Sequence, residues 1–259
     1  MAVREWLEDF RAAVMFLTIL PVAAQGSVGA PVWPRLMRAF PLAGALVGAV
    51  SGAMLAAAVM AGLAPLAAAL VALAAGVVVS GGMHEDGLAD VADGLGGRTV
   101  ERRLEIMRDP SVGAFGVMAL VFAIGFQAVV LGGLITTGGA LAAVAALVIA
   151  HAVSRFAALM MLAMLTPARG EGSGHRAGRP GGDVVIPAAI GALVVAGVAG
   201  GAMFAPLALA GALACGMLAA HGVIRLCGRM LGGQTGDAAG AVEVVTRLVV
   251  LGALAAFVS

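Results

Sequence analysis

Apolar residues fill long runs of this chain, and polar residues collect in the short intervals between them. A helix crossing a bilayer needs about 20 consecutive apolar residues. Seven stretches come near that length, roughly 40–62, 64–83, 113–134, 139–165, 184–202, 204–224 and 241–258. Two kinds of connection alternate. The turns near Gly62–Pro65, Thr136–Gly139 and Gly200–Pro206 are short and uncharged. The segments 1–38, 84–112, 166–183 and 225–240 hold nearly all the arginines. The excess of positive charge assigns those segments, with the amino end, to the cytoplasm and the carboxyl end to the outside. The pattern predicts an all-α fold, a polytopic membrane bundle of about seven transmembrane helices. No internal repeat stands out, and residues 1–259 are expected to form a single integral membrane domain.

Two shorter amphipathic pieces flank this pattern. The run AAVMFLTILPVAA, 12–24, is too short to span and ends at Pro21, which predicts an interfacial or re-entrant helix. Glu5, Glu8 and Asp9 before it argue against a cleaved signal peptide. The Pro- and Gly-rich stretch 25–41 is expected to be a loop. RTVERRLEIMRD, 98–109, places Arg98, Glu101, Arg102 and Glu105 at helical spacing and reads as a short cytoplasmic amphipathic helix, ended by Asp109-Pro110.

Composition narrows the function classes. The chain is 62% hydrophobic and 11% charged, against about 25% charged in soluble domains. All 15 basic residues are arginine, so lysine Schiff-base chemistry is excluded. Cys215 and Cys227 provide no disulfide framework and read as small apolar fillers. No Cys/His spacing fits zinc. The net charge of +1 says nothing about nucleic acid, and no nucleic-acid partner is expected.

The densest charge lies in HEDGLADVADGLGG, 84–97. On a helix, Asp86, Asp90 and Asp93 stand at i, i+4 and i+7, on one face. Like charges there repel unless a cation joins them. Oxygen-only ligands favour Mg²⁺ or Mn²⁺, which takes one or two carboxylates and completes its shell with water and substrate phosphates. The competing reading is a solvated acidic helix start.

Three further places bear on a site. Arg155 lies inside a span, where an arginine normally faces the bundle interior, as a phosphate ligand or as a carboxylate partner. His151 is one turn earlier and reads more simply as an interior histidine. The loop 167–183 combines glycines with Arg169, Glu171, His175, Arg176 and Arg179, which suits a phosphoester. No P-loop motif occurs. In the last charged segment Gly232, Gly233, Gly236 and Gly240 surround Gln234, Thr235 and Asp237, with Glu243 opening the final span as a second acidic spot on the same side. The simpler alternative there is a Gly-rich turn with an Asp cap.

These residues, in this order, resemble the cobalamin synthase (adenosylcobinamide-GDP ribazoletransferase) family. The resemblance rests on Phe16-Leu17-Thr18, Phe40-Pro41-Leu42, the block from Gly82 and His84 through Asp86-Gly87-Leu88-Ala89-Asp90 and Asp93-Gly94-Leu95, and Glu105-Ile106-Met107-Arg108-Asp109 with Gly113-Ala114-Phe115-Gly116. It continues in Ser154-Arg155, Ala168-Arg169 with Glu171-Gly172, and Gly232-Gly233-Gln234-Thr235-Gly236-Asp237. Glu85 departs from the family, where an apolar residue is usual, and either adds a metal ligand or is tolerated at the membrane edge. Ser111 and Ile19 stand where a basic residue is common.

The resemblance implies an Mg²⁺-dependent enzyme of a bacterial or archaeal inner membrane, with its catalytic loops in the cytoplasm. It joins adenosylcobinamide-GDP to α-ribazole, or its 5′-phosphate, and releases GMP. Asp86, Asp90, Asp93 and Asp237 are then the expected metal ligands. His84 or Asp93 would accept the hydroxyl proton, and Arg155 and Arg169 would pair with phosphate oxygens. Gly87, Gly94, Gly233 and Thr235 are the expected substrate-contacting residues, with close helix packing as the equal alternative for Gly87 and Gly94. The lipid bilayer is the other partner, and a homo-oligomer stays open. Two alternatives compete. A CDP-alcohol phosphatidyltransferase also carries an Asp-Gly-rich carboxylate cluster, but Asp86-Gly87 lacks the Ala-Arg that follows in those enzymes. A cation-coupled transporter would place its site nearer the midplane.

Overall fold

The computed structural model describes residues 2–22 and 33–257, and among them the regular structure is entirely helical. In chain order the helices are α1 (Ala2–Leu17), α2 (Phe40–Met60), α3 (Pro65–Ser80), α4 (Met83–Gly94), α5 (Val100–Ile106), α6 (Ala114–Met164), α7 (Ser173–Ala177), α8 (Gly182–Gly200), α9 (Pro206–Leu231) and α10 (Gly236–Ala256). A 3-10 turn, Arg35–Ala39, leads into α2.

The 51 residues of α6 would run about 77 Å as a straight helix, far beyond a bilayer. They do not run straight. Gly139 adopts φ 79° and ψ 169°, a conformation open to glycine, and breaks the helix there. Gly116, near its start, bonds to Asp93 of α4, and Arg155, in its second arm, lines a cavity with His84 of the same α4. The two arms therefore fold back as a hairpin at the expected Thr136–Gly139 turn.

Among the described residues five helices are long and apolar enough to cross a membrane, and the bent pair α3–α4 makes a sixth candidate if it is one span. The second arm of α6 completes about seven apolar arms, and the protein is a polytopic membrane bundle. Its outer surface agrees: Val121, Phe122, Ile190, Leu193, Val198 and Leu218 are all exposed. In water such a surface would be a liability. Against lipid tails it is the expected face. The interior is lined largely by alanine and glycine, so helices approach closely.

Several boundaries differ from expectation. The amino-terminal helix starts ten residues before Ala12 and takes in the charged residues, because Asp9 is buried between Arg35 (3.1 Å) and Arg38 (2.6 Å). The expected loop 25–41 falls partly outside the described residues, but its end is helical, and Pro41 sits in the first turn of α2, where a missing N–H costs nothing. The expected span 64–83 stops at Ser80. Gly81 (φ 65°) and Gly82 (φ 68°) turn the chain by 91°, so α4 leaves the direction of α3 and packs against α10 and α6. The final helix begins at Gly236, not 241: Thr235 caps it, accepting from the Ala238 N–H at 3.0 Å, and Gly240 is a packing position and does not break it. The amphipathic helix 98–109 shortens to α5, capped by Thr99 and carrying the Arg102–Glu105 pair at 2.7 Å.

Candidate active site

The site lies where α4 crosses the first turn of α10. The two backbones meet at glycines. A Cβ on Gly87 would fall 2.5 Å from the Asp237 carbonyl oxygen, and one on Gly240 would fall 3.2 Å from His84 Cα. Close crossing brings Asp237 beside the acidic face of α4. The approach expected of substrate at Gly87 is thus made by the protein itself. Gly94 likewise faces Met107, and Gly233 packs against the Thr166–Ala168 backbone. Of the four residues expected to contact substrate, the three glycines are close-packing positions, and Thr235 caps α10 while also lining a cavity beside Asp237.

Two Gly-rich segments that are distant in sequence are stitched beside this crossing. Gln234 N–H donates to Thr166 O at 2.8 Å and Ala168 N–H donates to Gln234 O at 2.9 Å. The Gln234 side-chain amide donates to Gly174 O at 2.9 Å. This clasp delivers Arg169, which donates to Leu104 O at 2.9 Å and stands 3.5 Å from Asp237. Arg108 pairs with Glu171 at 3.1 Å on the rim.

Asp86 and Asp237 line one cavity, Arg169 and Asp237 line the next, and Asp90 feels the charge of all three. Burial first, and then the charges of Asp86, Asp237 and Asp93, push Asp90 up to about 7, with Arg169 opposing. Two adjacent cavities share Asp237 in their walls. One, about 130 Å³, is lined by Phe16, Trp33, His84, Asp86 and Arg155 among others. The other, about 110 Å³, is lined by Arg169, Glu171, His175, Gln234 and Thr235.

Asp93 has a different task from the one expected. Its two oxygens accept the Gly113 N–H at 2.7 Å and the Gly116 N–H at 2.9 Å. It caps α6, satisfying donors that a helix start leaves open. Arg155 takes the second of its two expected roles, as a carboxylate partner. It is fully buried, donates to Glu243, and sits 2.6 Å from His151 Nδ1. Glu243 is buried with it and also accepts from Ser154 at 2.6 Å, so it is no second acidic spot on the surface. Glu85 is held by Arg247, which accounts for its tolerance where an apolar residue is usual.

Sequence reasoning missed Arg247. It stands inside the apolar run 241–258, as conspicuous there as Arg155, and one turn from Glu243. That spacing was the available signal.

Among the described residues no three His, Cys, Asp or Glu side chains converge enough to hold a metal unaided. Mg²⁺ does not require that, since substrate phosphates and water complete its shell. Carboxylates at Asp86, Asp90 and Asp237, with Asp90 raised by burial and then by the neighbouring acids, fit a hard cation completed by substrate.

Fold and site together define a helical membrane protein whose carboxylates and an arginine gather around two adjacent cavities. The chain belongs to the cobalamin-5-phosphate synthase family, whose model matches residues 9–255. An adenosylcobinamide-GDP ribazoletransferase of Azorhizobium caulinodans is 40% identical over 247 residues, covering 92% of this chain and 91% of the relative. Relatives of the same name from Bradyrhizobium diazoefficiens (40% over 271 residues, 98% and 96%) and Allorhizobium ampelinum (36% over 260 residues, 98% and 99%) match as fully. The protein is a transferase of the cobalamin pathway. No solved structure matches this chain.

Proposed function

We propose that the chain transfers the adenosylcobinamide-phosphate group from adenosylcobinamide-GDP to α-ribazole or its 5′-phosphate. The observation that carries this reading is Asp237 standing between two cavities, with Asp86 lining one and Arg169, 3.5 Å from Asp237, lining the other, and Asp90 within reach of their charges. The names of the relatives supply the substrates. A ribose hydroxyl oxygen attacks the phosphorus attached to cobinamide. The bond from that phosphorus to the bridging oxygen breaks, and GMP leaves with the electron pair. Such transfer depends on positioning and on neutralising charge.

Asp86, Asp90 and Asp237 would hold Mg²⁺, with Asp93 committed to α6. Bound there, Mg²⁺ neutralises charge on the diphosphate as GMP departs. Arg169 exchanges its long contact with Asp237 for phosphate oxygens, a pairing its planar guanidinium suits. Of the two bases expected, His84 lines the cavity beside Asp86 and takes the hydroxyl proton. Both cavities are too small for the corrin ring, which stays outside them.

The site faces the cytoplasm of a plasma membrane, the inner one where two are present. Apart from Arg155 and Arg247, every arginine lies in 4–38, 98–108, 169–179 or 225–229, segments gathered toward the site end. Purified protein given adenosylcobinamide-GDP and α-ribazole is expected to release GMP and form adenosylcobalamin only when Mg²⁺ is present. Turnover of CDP-alcohols instead, with neither product formed, would refute the reading.

A further inference from the structure

One wall of the cavity on the Asp86 side is aromatic and has no part in the phosphoryl chemistry. Phe16 meets Trp33 edge to face, ring centroids 4.9 Å apart at 89°, and stacks on Phe40 at 5.9 Å and 9°. All three line the cavity. Phe40 is buried, so the accessible ring surface comes from Phe16 and Trp33, both partly exposed. Across the same cavity lie His84, Asp86 and Asp237. His84 is only 4% exposed, yet its Nδ1 has no hydrogen-bond partner among the described residues. Buried polar atoms are normally paired, so a ligand or water is wanted there. The cavity beyond Asp237 differs: no Phe or Trp lines it, and Arg169, Glu171, His175 and Gln234 do.

The proposed reaction supplies two nucleoside parts of opposite character. Either base can stack on an aromatic face, but guanine's edge carries several donors and acceptors that need partners, and the second cavity, lined by Arg169, Glu171, His175 and Gln234, suits them better. The benzimidazole of α-ribazole is flat and apolar, with one free ring nitrogen. A corrin ring is too large for a cavity of about 130 Å³. Resting on the transfer reaction above, we propose that Phe16, Trp33 and Phe40 form the subsite for the base of the acceptor nucleoside. Its ribose then points toward Asp86 and Asp237, where the phosphorus is attacked. Aromatic stacking of this kind changes affinity by roughly 5- to 150-fold per base.

The test is equilibrium binding of α-ribazole alone to the full-length protein in detergent, by titration calorimetry, with Trp33→Leu and Phe16→Leu alongside. Leucine keeps the wall apolar and removes the flat face. Each variant is expected to bind α-ribazole at least about fivefold more weakly and to raise its KM, with the KM for adenosylcobinamide-GDP unchanged. A second measurement needs no variant: the wild type is expected to bind α-ribazole at least about tenfold more tightly than hypoxanthine riboside. Unchanged affinity in both variants, or equal wild-type affinity for the two ribosides, overturns the subsite and leaves the reaction standing. Wild-type protein that neither binds nor consumes α-ribazole overturns the reaction, and the subsite with it.

Discussion

Arg247 of α10 reaches Glu85 of α4, and both are buried. Arg247 also stands 3.8 Å from one oxygen of Glu243, whose other oxygen is taken by Arg155. A chain of alternating charge thus runs from α4 through α10 to the second arm of α6. It ties the acidic helix to the bundle from beneath.

Breaking that chain at one end costs more than removing the pair. A buried ion left without its partner costs about 3–5 kcal/mol, whereas replacing both by apolar groups is close to neutral. Glu85→Leu is therefore expected to lose about 3–5 kcal/mol of stability, and adding Arg247→Leu is expected to recover most of it. Thermal unfolding of the single and double variants in detergent measures this. Costs that simply add would contradict the pairing.

Asp93→Asn tests the cap. Weakening the two bonds to Gly113 and Gly116 is expected to cost about 1–2 kcal/mol. Mg²⁺ affinity should fall far less than in Asp86→Asn. Equal losses of Mg²⁺ affinity would return Asp93 to the metal shell.

Asp90 gives the site a pH dependence. Its value is raised to about 7 by burial and by the neighbouring acids, so below that pH it carries a proton that a cation must displace. Apparent Mg²⁺ affinity is expected to rise as pH increases through about 7 and then level off. Titrations at several pH values follow this directly, and a flat profile from about pH 6 to about pH 8 would contradict it.

Much of the bundle was legible in the sequence because lipid imposes one rule on every span: a long apolar run. The alternation of charged and uncharged turns even marked the hairpin at Gly139. Asp86, Asp90, Asp237 and Arg169 were legible because charge is rare here and each residue falls in one of the polar intervals. Glycine was harder to read. The glycines around Gly240 look like breakers along the chain, yet Gly240 lets α10 press on α4. The capping by Asp93 was hidden because its partners are backbone amides twenty residues away. The Glu85–Arg247 pair spans 162 positions, and only folding brings its ends together.

The most direct measurement is Mg²⁺-dependent GMP release from adenosylcobinamide-GDP and α-ribazole by the wild type, Asp86→Asn, Asp90→Asn and Asp237→Asn, each first shown to fold. Loss of about 100-fold or more in every variant, with adenosylcobalamin formed by the wild type, is the result expected of one shared carboxylate site. Wild-type rates retained in folded Asp86→Asn and Asp237→Asn would contradict it.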